Sequence, residues 1–290
     1  MFESFETLDL ATSATTIHAR VGGSGPPLLL LHGYPQTHVI WHKIAPRLTE
    51  RFTVVATDLR GYGDSGKPPS GPDHAAYSKR AMAADQVEAM ALLGHRRFAV
   101  IGHDRGARVG HRMALDRPDA VTRLALLDIV PTRTVFASVN QAVATGYYHW
   151  FFLIQPNGLP EAMIGHDPAH YLREKLTRWC GAGEGAITDA AFAEYLRCFN
   201  DPAAIHASCE DYRAAASIDL VHDEADLGHR IECPLLVLWG EVGLVGRNYD
   251  VLAVWRERAL DVHGRSLPCG HYLAEECPDA TLAALQAFLG

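Results

Sequence analysis

The apolar run Phe98, Ala99, Val100, Ile101 ends in Gly102-His103-Asp104-Arg105-Gly106, and a helical pattern begins at once. A strand that turns straight into a helix tolerates only small residues beside the apex, here Gly102 and Gly106, and an acid stands at the apex itself. A second run, Leu28 to Leu31 within the strand Pro27 to Leu31, is apolar at every position, as expected of a parallel strand covered on both faces. Further strands are predicted at Phe52 to Thr57, Leu124 to Ile129, Pro234 to Leu238 and, more briefly, Arg265 to Leu267. Helical patterns fall near His38 to Leu48, Ser78 to Leu93 and Ala107 to Ala114, and two alternating segments, Phe5 to Leu10 and Thr15 to Val21, read as an opening hairpin. Strand and helix alternating in this way define an α/β fold, a mostly parallel twisted sheet with helices on both faces.

Between about Pro131 and Leu220 the alternation stops, and aromatic-rich helical stretches follow one another without a buried strand. A helical cap inserted into the sheet unit accounts for this. The expected organisation is residues 1–130 and 221–290 as the two parts of the core and 131–220 as the cap, with a closing helix from Pro278 to Leu289.

Several function classes are disfavoured by composition. The formal net charge of −8 gives no support to a nucleic-acid or basic membrane surface, so any bound anion must be drawn by a local site. The first twenty residues, with Glu3, Glu6 and Asp9, lack the pattern of a secretory signal, and no window approaches a membrane span, so a cytoplasmic location is expected. The six cysteines show no CxxC pair and are expected as free thiols. No metal site is expected: there is no HExxH, and Pro168 interrupts His166 and His170. Gly61-Tyr62-Gly63-Asp64-Ser65-Gly66 fits GxGxxG, but Lys67, Pro68 and Pro69 follow where a dinucleotide site needs a helix. It is read as a tight loop after a strand, and no cofactor is expected.

The chemistry centres on Asp104. Aspartate before a helix is commonly a cap; between Gly102 and Gly106 it reads instead as a nucleophile, where esterases and lipases carry serine. A carboxylate can displace a leaving group from saturated carbon and remain as an alkyl ester. Arg105 and Arg108, three apart at the helix start, project from one face, and two guanidinium groups there suit a small carboxylate substrate. Arg112 is assigned to a solvated face.

The segments His32-Gly33-Tyr34-Pro35, Asp58-Leu59-Arg60-Gly61-Tyr62-Gly63-Asp64-Ser65, the turn at Asp104 and the late Gly270-His271 together resemble the α/β-hydrolase fold. More narrowly, Gly102 to Arg108, Asp211-Tyr212-Arg213 and His149-Trp150 resemble the fluoroacetate dehalogenases. The resemblance implies hydrolysis of haloacetates to glycolate and halide, with Asp104 as nucleophile and His271 as the base for ester hydrolysis. Gly243 stands where the triad acid is usual, so Asp128 is expected to supply it, with Glu241 as the alternative. Backbone N–H groups of Tyr34 and Arg105 are the expected oxyanion donors, and His149, Trp150 and Tyr212 the halide pocket. Read without the family, Tyr147 to Phe152 is an aromatic packing surface, and Tyr147, Tyr148, Phe151 and Phe152 are kept in that reading. The resemblance also implies a homodimer. The rivals are an epoxide hydrolase with the same triad, and a binding protein that keeps the fold without catalysis.

Overall fold

The apolar run before the Asp104 turn becomes β5 (Phe98–His103), every residue of which is buried. In this computed structural model, which describes residues 1–181 and 185–290, β5 lies at the centre of one sheet. The other strands are β1 (Glu6–Ala11), β2 (Thr16–Gly22), β3 (Pro27–Leu31), β4 (Thr53–Thr57), β6 (Val121–Leu127), β7 (Leu235–Gly240) and β8 (Val262–Leu267). Their order is β1-β2-β4-β3-β5-β6-β7-β8. β1 and β2 form the antiparallel edge hairpin, β2 joins β4 antiparallel, and from β4 onward all pairings are parallel. The register sets Leu31 beside Gly102 and His103 beside Leu127, so β3, β5 and β6 end level with one another. Chain leaving those three ends carries Tyr34, Asp104 and Asp128 to one rim, where open α/β sheets form their sites.

The predicted helix at Ala107 to Ala114 is longer than its periodicity suggests: it runs Asp104–Asp116 and starts on the acid itself. Gly102 and Gly106 are needed there, since a Cβ on Gly102 would collide with Ala107, and one on Gly106 with the carbonyls of Leu31 and His32. This helix packs against β5, β6 and the helix Lys79–Leu92, which Ser78 caps by accepting from the Ala81 N–H. Arg112 departs from expectation. It is buried, and pairs with Asp116 at 2.6 Å and Asp226 at 2.7 Å. Asp226 follows the helix Ile218–Ala225, whose return across this face removes it from solvent.

Between β6 and β7 the described residues form helices only, from Thr132–Ala137 to Ile218–Ala225. The GxGxxG segment is a loop after β4. Its Gly61 N–H is spent on the Gly66 carbonyl and its Gly66 N–H on Thr16, leaving no cradle for a pyrophosphate. No described helix is long and apolar enough to cross a membrane.

Candidate active site

Asp104 sits at φ +46°, a region that a non-glycine residue occupies only when its surroundings enforce it. Strand β5 on one side and the helix on the other provide that enforcement. The carboxylate is buried; its Oδ1 accepts the Tyr34 N–H at 3.0 Å, and its Oδ2 lies 3.9 Å from His271 Nε2. Gly33 precedes Tyr34 because a Cβ there would collide with Asp104. His32 braces the same loop: its Nδ1 bonds the Gly33 carbonyl at 2.9 Å, and its Nε2 accepts the Leu59 N–H at 3.0 Å. Arg105 N–H belongs to the first turn of the helix, where no intrahelical acceptor is available. Burial opposes ionisation of Asp104, yet His271, Arg105 and Arg108 outweigh it and hold the carboxyl below its ordinary range.

Asp128 follows β6 at φ +53° and is fixed at both oxygens. Oδ1 accepts the Gly240 N–H at 3.0 Å, and Oδ2 accepts from His271 Nδ1 at 2.6 Å. Burial works against a charged His271, but the Asp128 bond overrides it and raises the imidazole above its ordinary value. His271 Nε2 has no hydrogen-bond partner among the described residues and faces Asp104. Glu241 is exposed, with no part in this arrangement. A Cβ on Gly243 would stand 3.5 Å from Asp128 Oδ1, so the usual acid position and the one used here converge on the same point.

Arg105 and Arg108 are both buried beside Asp104, but neither presents a free fork. Arg105 Nε and Nη2 grip the Asp211 carboxylate at 2.9 and 2.6 Å, leaving Nη1 without a partner. Arg108 donates from Nη1 to the Val130 carbonyl at 2.8 Å and the Thr132 hydroxyl at 3.1 Å, leaving Nε unpartnered. The expectation that two guanidinium groups receive a small carboxylate narrows accordingly, because Asp211 occupies one side of Arg105. Asp211 also takes the Lys79 ammonium and the Tyr62 hydroxyl, and Arg105 and Lys79 hold it well below the carboxylate range despite burial. The only sequence signal for Asp211 was its place beside Tyr212 in the Asp-Tyr-Arg segment.

His149 and Trp150, on the short helix Tyr148–Phe152, meet Tyr212 with ring centroids 5.3 and 5.9 Å away. The Arg105 guanidinium lies 4.2 Å over the Tyr212 ring, and that of Arg108 4.6 Å over Trp150. His149 Nδ1 and the Tyr212 hydroxyl have no partners among the described residues. Burial, then Lys175 and Arg105, push His149 far down, so it is a neutral imidazole; burial pushes Tyr212 up, so it keeps its proton. Tyr147, assigned to packing, stacks on Trp150 at 5.5 Å and also lines a cavity beside His271. Trp179, which no motif marked, lies between His149 at 4.6 Å and His271 at 5.2 Å.

Two described clusters have metal-like composition, His18-His38-Asp58 and Asp64-Glu194-Cys198. Asp58 is already committed, accepting the His38 N–H and ring and the Asp64 N–H. Neither cluster includes a residue of the Asp104 site.

A parallel sheet with an acid on the turn after its central strand, a histidine facing that acid and a second acid behind the histidine define a hydrolase architecture. The family described as the α/β hydrolase fold matches residues 26–278, and the chain belongs to it. Within that family the chain is 48% identical over 289 residues to the fluoroacetate dehalogenase of a Burkholderia species, across 100% of this chain and 95% of that protein. The resemblance read from the motifs is thus borne out at full length. The soluble epoxide hydrolase of Corynebacterium sp. (strain C12) is 36% identical over 279 residues, 94% of this chain and 93% of that one. A solved structure from Nostoc sp PCC 7120, assigned to the α/β hydrolases, superposes with a TM-score of 0.98 at 61% identity, covering 100% of this chain and 99% of that one.

Proposed function

We propose that this protein hydrolyses haloacetates, fluoroacetate among them, to glycolate and halide through an ester on Asp104. The observation that carries the reading is the setting of that carboxylate: ionised, buried, with the His271–Asp128 pair on one side and Arg105, Arg108, His149, Trp150 and Tyr212 around it. Because Oδ1 is held by Tyr34, Oδ2 is the oxygen that attacks. It forms a bond to the halogen-bearing carbon as the carbon–halogen bond breaks, and the electron pair leaves with the halide. Arg105 Nη1 and the Arg108 guanidinium receive the substrate carboxylate, while Trp150, His149 and Tyr212 surround the departing halide.

In the second step His271 Nε2 takes a proton from water, and the hydroxide adds to the Asp104 carboxyl carbon. Oδ1 becomes the oxyanion where Tyr34 N–H already donates, with Arg105 N–H as the second donor. Collapse expels glycolate, whose oxygen takes the proton back from His271; the carboxyl group keeps the hydroxide's proton and releases it to solvent, which restores the carboxylate. Asp128 keeps the imidazole in the tautomer this needs.

Incubation of His271→Asn with fluoroacetate or chloroacetate should leave an ester on Asp104, a gain of about 58 Da on the peptide that holds it. Wild type should release halide and glycolate in equal amounts. No adduct and no halide would overturn the reading. Epoxide opening is the competing reading, favoured by the unpartnered Tyr212 hydroxyl and by the epoxide hydrolase relative. A neutral epoxide would leave Arg105 Nη1 and Arg108 uncompensated, so diol formation from styrene oxide should be far slower than haloacetate turnover. Under the same reading the protein works as a cytoplasmic homodimer, which sedimentation of the purified chain would test.

A further inference from the structure

A cavity of about 710 Å³ opens beside the hydrolytic half of the site, with His271 and Asp128 in its lining and the Trp179 indole along its wall. Two exposed arginines, Arg178 and Arg247, also line it. Neither has a carboxylate within ion-pair distance among the described residues, and the two are brought to one opening. Arg247 Nε donates to the Gly243 carbonyl at 3.2 Å, and Arg178 lies 5.9 Å from the Tyr148 ring. The one carboxylate in the lining, Asp128, is buried and already bonded to His271.

We propose that this cavity is an anion-capture vestibule in which Arg178 and Arg247 draw small carboxylates toward the catalytic centre. That the carboxylate is a haloacetate rests on the reading above; that the vestibule takes anions rests on its own side chains. The whole chain carries a formal charge of −8, which repels an approaching anion at long range. Two cations at one opening, without a carboxylate partner among the described residues and with low-dielectric walls behind them, reverse the sign locally and raise the anion concentration there. The cavity lies apart from Arg105 and Arg108, neither of which lines it, so capture and final positioning fall to different arginines.

The test is the double variant Arg178→Gln/Arg247→Gln, with Arg178→Lys/Arg247→Lys as the charge-retaining control. Both arginines are exposed, so folding should be unaffected, which thermal unfolding checks. At low salt the glutamine pair should lower kcat/KM for chloroacetate about tenfold with kcat unchanged, and the lysine pair should restore it. Near 0.5 M salt the difference should vanish, since the screening length there falls to about 4 Å. A second measurement needs no turnover: iodide quenching of Trp179 fluorescence in a Trp239→Phe background, with neutral acrylamide as reference. Trp41, Trp150 and Trp255 are buried, so the indole signal open to quencher is that of Trp179. The glutamine pair should lower iodide quenching about twofold and leave acrylamide quenching alone. Unchanged iodide quenching overturns the vestibule even if haloacetates are not substrates. Absent halide release from wild type, with iodide quenching reduced as expected, overturns the haloacetate reading and leaves the vestibule standing.

Discussion

Lys175 should weaken the fold around neutral pH, and replacing it with methionine should show by how much. Its ammonium position on the helix Pro168–Trp179 is buried, and Nζ has no hydrogen-bond partner among the described residues. It lies over the rings of Tyr148 at 3.7 Å, Trp179 at 4.8 Å and Tyr171 at 5.6 Å. Burial, aided by Arg178, pushes the amine down to about 6 from the ordinary lysine value of 10.5. That gap corresponds to about 6 kcal/mol. The attraction of an ammonium to the aromatic faces offsets about 2 kcal/mol, so the amine is neutral in the folded chain between pH 8 and 10. The unfolded chain binds a proton there that the folded chain does not, so stability must rise with pH across this window. Methionine matches the length of the side chain and suits an aromatic cage. Urea unfolding should find Lys175→Met more stable than wild type by about 3 kcal/mol at pH 8, shrinking to about 1 kcal/mol at pH 10. A difference between the two proteins that stays constant with pH would refute a neutral, dry Lys175.

In the proposed role of base His271 must be neutral, and Asp128 raises its pKa, so the hydrolytic step should fail as pH falls through a value above that of an ordinary histidine. Asp128→Asn should move this acid limb to lower pH and cut the plateau about a thousandfold; a stationary limb in pre-steady-state ester hydrolysis would contradict the pairing. Trp150→Phe should harm defluorination more than dechlorination, because the smaller, harder halide depends more on a strong N–H donor, and equal losses in competing assays would count against the pocket assignment. Asp211→Asn leaves Arg105 buried without its counter-charge and Lys79 with Asp219 alone at 3.8 Å, and should cost about 3 to 5 kcal/mol in unfolding free energy, with calorimetry showing little change if the cluster is solvated.

What was readable in advance follows from how locally each feature is encoded. The strands around Leu28 and Val100 announce themselves as unbroken apolar runs, and the turn at Asp104 as glycines spaced about an acid. His271 and Asp128 were readable because each stands next to such an element. Arg105 was also found, but its fork to Asp211 joins residues 106 apart, and no local pattern reports what a guanidinium will meet. Arg112 failed for the same reason: its helix face looks solvated until the Ile218–Ala225 helix and Asp226 cover it. Trp179 and Lys175 carry no motif, since an aromatic cage is assembled only when the helices of the insert pack together.

Gly243 sets a physical constraint on where the acid behind His271 can stand. Two strand ends, β6 and β7, can aim an acid at one imidazole, and here only the first does. Moving the acid from one strand end to the other by substitution passes through a chain with both or with neither. Two carboxylates at one point would force a proton onto one of them and blunt the hold on His271, while none would leave the ring without its orienting partner. Each such chain is poorer than one with a single acid, so a second carboxylate at position 243 would weaken the His271–Asp128 pair and not reinforce it.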